Sequence, residues 1–120
     1  INKKSLHWID LSVAVKGATI EMLSQLKNAE PFGSGNPEPI FIIQDAIVFN
    51  AKIVGENHVR CDISDSSNAR IGAIAFRSIE TNIGKTILTN NKLHLIGKLK
   101  ISEWNNKEYV QMHIIDVIKF

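Results

Sequence analysis

From Ile40 onward the chain is written mostly in alternating apolar and polar positions, the period-two signature of strands with one buried face. Residues 40–54 read as a long apolar-rich strand, bent or bulged near Gln44–Asp45. Gly55, Glu56 and Asn57 make a turn. Residues 58–64 then return with Val59, Cys61 and Ile63 on one face and His58, Arg60 and Asp62 on the other. Asp65 to Asn68 form a second turn, and 69–77 is a third strand ending at Phe76. Ile79, Ile83 and Ile87 fall four apart, which suits one stripe of a helix and no strand. Residues 92–103 alternate again, Leu93, Leu95, Leu99 and Ile101 opposing His94, Lys98, Lys100 and Ser102. Gly97 in mid-strand predicts a sharp bend of the kind a small closed barrel needs. Trp104 to Lys107 is a hairpin tip, and 108–119 returns with Val110, Met112 and Ile114 inward.

Ahead of this β-rich stretch, residues 6–15 alternate as a strand with Trp8 partly buried, and Thr19 stands where a helix N-cap would. Ile20, Leu23 and Leu26 follow at helical spacing, giving a short helix over 20–29 that Pro31 stops. Residues 31–39, PFGSGNPEP, hold three prolines and two glycines in nine positions. Such a stretch makes neither a regular helix nor a paired strand interior, and it reads as an ordered junction of fixed shape. The order from residue 40 is β-β-β-α-β-β, that of the OB-fold, a mainly β, five-stranded Greek-key barrel. Another small β-barrel, or an α+β sheet with one helix, remains open on pattern alone.

The composition changes this picture only in places. One hundred and twenty residues with 44% hydrophobic content suffice for one domain with a real core, or one domain plus a remnant of a neighbour. The chain begins with Ile1 rather than methionine, so it is expected to be a fragment of a longer protein. No apolar run approaches the roughly 18 residues of a membrane span, and no secretory leader pattern opens the chain. Cys61 is alone, which permits no internal disulfide and fits a reducing cytoplasm. Net charge is only +2, and the last thirty residues carry the whole excess, five basic side chains against three acidic. A local positive surface attracts phosphate even on a nearly neutral domain, although a solvated Lys-rich face has the same composition.

The constellations of chemistry are missing. His7, His58, His94 and His113 lack the spacing of zinc ligands. Asp62 and Asp65 bracket a turn, where aspartates usually cap backbone amides. Gly33-Ser34-Gly35 runs into Asn36-Pro37 and not into the Lys-Ser/Thr of a phosphate loop. Cys61 alternates with apolar neighbours as a small core residue does. No catalytic residue, metal site or cofactor is expected in this chain.

The segment LKNAEPFGSGNPEPIF, residues 26–41, resembles the junction of RecJ-type single-stranded-DNA exonucleases, where a DHH–DHHA1 catalytic unit passes into an OB domain. Pro31, Phe32, Gly33, Gly35, Asn36, Pro37, Glu38, Pro39 and Phe41 carry the match, and AIAF at 73–76 and the hairpin at 104–111 look similar too. The resemblance implies that residues 1–30 are a remnant or linker from the DHHA1-type domain, 31–39 the structural junction and 40–120 the OB domain. It also implies a parent enzyme of the cytoplasm that degrades single-stranded DNA from its 5′ end in repair and recombination, using Mn2+ or Mg2+. No Asp-His-His triplet occurs here, so this chain should be inactive alone. The implied partners are single-stranded DNA, the parent's own catalytic domains and a single-strand-binding protein.

A single-strand-binding reading needs cations along a groove and flat rings on which bases stack. Position in the inferred fold nominates His58, Arg60, Lys98, Lys100, Trp104, Lys107 and Tyr109, with Lys52 in support. OB-folds bind on their second and third strands and on the loops after the first and fourth. The alternatives are a Trp104 ring folded onto the barrel wall, Phe76 and Tyr109 as core or rim, and Arg70 and Arg77 as solubility charges. The junction is expected to act as an interdomain hinge or buttress. The rival function is an interdomain or protein–protein docking module with little direct DNA contact.

Overall fold

The computed structural model describes residues 9–28 and 38–120. Its strands are β1 (Leu11–Ser12), β2 (Phe41–Val54), β3 (His58–Ser64), β4 (Arg70–Ala75), β5 (Lys92–Trp104) and β6 (Lys107–Ile118). Two α-helices accompany them, α1 (Ile20–Asn28) and α2 (Asn82–Thr89). The five strands β2 to β6 close into a barrel. Antiparallel pairing joins β2 to β3, β3 to β4 and β5 to β6, β4 runs parallel to β6, and β2 also pairs with β5. That circuit, with α2 between the third and fourth barrel strands, is the OB topology expected from the order of elements.

Closure depends on β2, which must pair with β3 and with β5 in turn. It bends twice to do so. The register with β5 shifts between Ile43 and Ala46, and the register with β3 shifts between Phe49 and Lys52. Each shift contains a residue in the left-handed region, Asp45 at φ 55° and Asn50 at φ 56°. Asp and Asn enter that region more readily than other side-chain-bearing residues. The first bulge falls where the sequence predicted it. Gly97 serves closure from the opposite strand. A Cβ built there would run into the backbone carbonyl of His113, and the β5–β6 register shifts at this point.

Inward positions of all five barrel strands supply the core: Phe41, Ile43, Val59, Cys61, Ile63, Ala73, Leu93, Leu95, Leu99, Val110, Met112 and Ile114 are buried. Ile87 of α2 joins them. Ile79, expected on the same helical stripe, precedes α2 in a turn and is exposed; its N–H donates to the Asn57 carbonyl at 3.1 Å. Thr81 caps α2, its Oγ1 accepting from Ile83 N–H.

The N-terminal segment departs from its expected strand over 6–15. Within the described part, only Leu11 and Ser12 pair, parallel to Phe41 and Ile42. Val15 to Gly17 then form a 3-10 turn that buries Val15. The ladder is thus two residues long, and Val15 beyond it packs singly into the core. Thr19 does cap α1, its Oγ1 accepting from Met22 N–H at 3.0 Å. Val15, Ala18 and Leu23 belong to the same core as the barrel residues. The expected partition of the chain falls at 31–39, and residues on the N-terminal side of it share the barrel's interior. Pro31, Phe32, Gly33, Gly35, Asn36 and Pro37 lie outside the described residues.

Asp65 fastens this segment to the barrel. Its Oδ2 accepts from Val15 N–H at 2.8 Å, and Oδ1 accepts from the backbone N–H and the hydroxyl of Ser67. Burial raises the pKa of this carboxyl, but the hydrogen bonds outweigh burial and hold it below the usual carboxylate range.

Two outcomes are expected. Gly97→Ala should cost about 1–3 kcal/mol in urea denaturation, because the new methyl displaces the His113 carbonyl. Asp65→Ala should cost about 1–3 kcal/mol at pH 7 by leaving Val15 N–H unpaired. Since the folded pKa of Asp65 is depressed, its contribution is present above the unfolded value and fades as pH falls through the folded one. The stability gap between wild type and Asp65→Ala should therefore shrink below about pH 4.

Candidate nucleic-acid interface

Register across the barrel wall decides which outward side chains meet. Arg60 on β3 stands opposite Ile74 on β4, Ile74 beside His113 on β6, and His113 opposite Lys98 on β5. The next row runs Asp62, Gly72, Gln111, Lys100. Lys52 of β2 extends the first row, paired with Arg60. Three predicted cations, Arg60, Lys98 and Lys100, thus share one outward face across four strands. Gly72 leaves room on that face, the Arg60 guanidinium lying 3.2 Å from where a Cβ would stand.

The β5–β6 ladder continues the face to its tip. Lys98, Lys100, Ser102 and Trp104 alternate along one side of β5, opposite His113, Gln111, Tyr109 and Lys107 on β6. No register shift interrupts the ladder between Gly97 and Trp104, so the lysines and Trp104 lie on the same side. Trp104 is 69% exposed and is not folded onto the wall. Tyr109 is exposed as well. Asn105 and Asn106, at φ 54° and 63°, form the two-residue turn between the strands. From Lys98 to Trp104 the strand advances six residues, about 20 Å, so tip and lysines lie far enough apart to engage different nucleotides.

His58 sits at the other margin of the face. Its Nδ1 accepts from Arg77 N–H at 2.8 Å, which commits that nitrogen to the backbone. Its ring meets Phe76 edge-on at 5.3 Å, and Phe76 meets His113 edge-on at 5.2 Å. Phe76 is 53% exposed, outside the core and at the wall of a groove of about 490 Å3. Arg77, Thr81, Lys98, Lys100 and His113 line the same groove.

Sequence reasoning passed over His113, Phe76 and Arg77 as site residues. His113 was within reach: once Asn105 and Asn106 are the turn, counting outward in step from Trp104 and Lys107 sets it opposite Lys98. Phe76 and Arg77 depend on the loop between β4 and α2, whose path leaves no periodic signal.

Glu38, nominated with the junction, comes to the lysines instead. Its two carboxylate oxygens lie 2.6 and 2.7 Å from Lys100 Nζ, and Lys98 Nζ is 3.8 Å away. The Lys100 hydrogen bond holds the Glu38 carboxyl below the usual range, with partial burial opposing and both lysines assisting. Burial and then the Lys100 charge push the His113 pKa down, so the imidazole facing this cluster is mainly neutral at pH 7.

Burial pushes the Cys61 thiol up to about 12, leaving no thiolate for attack. Among the described residues no three His, Cys, Asp or Glu side chains gather as metal ligands, and no helix is long and apolar enough to cross a membrane.

Comparison with known proteins agrees with this architecture. Residues 9–116 match the family described as the RecJ OB domain. The single-stranded-DNA-specific exonuclease RecJ of Bacillus subtilis (strain 168) is 28% identical over 110 residues, covering 90% of this chain and 14% of that protein. The crystal structure of RecJ in complex with Mg2+ from Thermus thermophilus superposes with a TM-score of 0.52 at 23% identity, over 82% of this chain and 14% of that one. This chain thus spans about a seventh of the relatives it matches, and it belongs to the RecJ OB domain family.

Proposed function

We propose that this domain holds single-stranded DNA for a larger 5′-to-3′ exonuclease of DNA repair and recombination. The observation that carries the reading is the continuous outward face. Arg60, Lys98 and Lys100 lie in two adjacent cross-strand rows, and the same side of the ladder ends in an exposed Trp104 flanked by Lys107 and Tyr109. Phosphates are attracted to the first group without regard to sequence, and bases stack on the second. The Bacillus subtilis relative is named for single-stranded-DNA specificity, which supports the same ligand. Phosphodiester cleavage, on this reading, occurs at a Mn2+ or Mg2+ centre in the rest of the enzyme, in the cytoplasm. A single-strand-binding protein is the natural partner to surrender the strand.

A docking role on the enzyme's own catalytic domains has its own observation. Among the described residues β1 pairs only with β2, and exposed Leu11 and Ile47 lie beside that short edge. This edge adjoins β2, whose neighbours β3 and β5 carry Arg60 and the two lysines, so a domain docked there would stand beside the cationic face.

Fluorescence titration with oligo-dT over a range of salt concentrations tests the DNA reading. Trp104→Ala should weaken binding by roughly 5- to 150-fold, the worth of one stacked base. Lys98→Glu/Lys100→Glu should flatten the plot of log affinity against log salt by about 0.7 for each phosphate that is no longer neutralised. If both variants titrate like wild type, this face is not where DNA binds.

A further inference from the structure

The geometry points to a single phosphate seat between Lys98 and Lys100, occupied in the free protein by the carboxylate of Glu38, which a backbone phosphate of single-stranded DNA must displace. This inference rests on the DNA-binding reading above and names the atoms of one contact within it. Glu38 is not a member of the barrel wall. It precedes β2, between Pro37 and Pro39 in the chain, yet its carboxylate reaches two lysines sixty and sixty-two positions away. Both oxygens engage Lys100 Nζ, and one lies within ion-pair distance of Lys98 Nζ. Two adjacent oxygens on two ammonium groups is also how the non-bridging oxygens of a phosphodiester would be received.

Three further features fit an exchangeable seat. The pair is not sealed: the side chains of Lys100 and Glu38 are 35% and 48% exposed, so water and salt compete with it. The groove beside it has room, about 490 Å3 between Phe76, Arg77, Thr81 and His113. His113, largely uncharged beside the lysines, lets an anion enter without adding a third fixed cation. A lysine pair served by one carboxylate keeps one net positive charge, enough to attract a phosphate but less than the bare pair would offer.

Glu38→Gln preserves the shape and removes the charge. In oligo-dT titrations of this chain it should bind about 5-fold tighter than wild type, with an unchanged slope of log affinity against log salt because the same phosphate is neutralised in both complexes. The gain should vanish when Glu38→Gln is combined with Lys98→Gln/Lys100→Gln. Glu38→Ala, checked for an unchanged melting temperature, should repeat it. If Glu38→Gln and Glu38→Ala bind equally to or more weakly than a wild type whose affinity depends on Lys98 and Lys100, Glu38 is a structural pin; the seat falls and the DNA reading stands. A gain that survives loss of both lysines would mean a general charge effect and also overturns the seat. Failure of every form, wild type included, to bind oligo-dT removes both the seat and the DNA reading.

Discussion

A five-stranded sheet becomes a barrel only if one strand can serve two neighbours, and here β2 carries that obligation. Pairing with β3 over one stretch and with β5 over another requires fourteen residues of strand that change direction without breaking. The turns are made where Asp45 and Asn50 accept left-handed backbone, and Gly97 admits the crossing strand closely. The row from Arg60 to Lys98 crosses the barrel's other seam, the parallel contact of β4 with β6.

Closure also explains how much could be read from the chain alone. Features that depend on a few neighbouring residues were legible: the bulge at Gln44–Asp45, the cap at Thr19, the bend at Gly97, the hairpin tip at 104–107. The family's Pro/Gly block was legible as well, because its composition is unusual. Features that depend on two distant segments were not. Period-two alternation over 6–15 looks the same for a long strand as for a brief one, and here Leu11–Ser12 pair with β2 over two residues before the turn at Val15. Glu38 gave no sign of reaching Lys100, since a carboxylate between prolines advertises only a loop.

The barrel wall divides labour between its margins. One margin is a groove walled by Phe76 and Arg77 with the lysine pair; the other is a thin two-residue tip bearing Trp104. The interior beneath contributes packing. Cys61 and Met112 are buried there among branched aliphatics, and Asp65, the carboxylate buried among the described residues, is spent on backbone amides.

The Pro/Gly block is entered from a helix whose Leu23 lies in the core and left through a strand whose Phe41 lies there too. Helix α1 and strand β2, the described elements on either side of the block, are therefore anchored in one body. A load that reaches either of them arrives at the same core, so helix and strands shift together and the outward face of β5 and β6 rides with them.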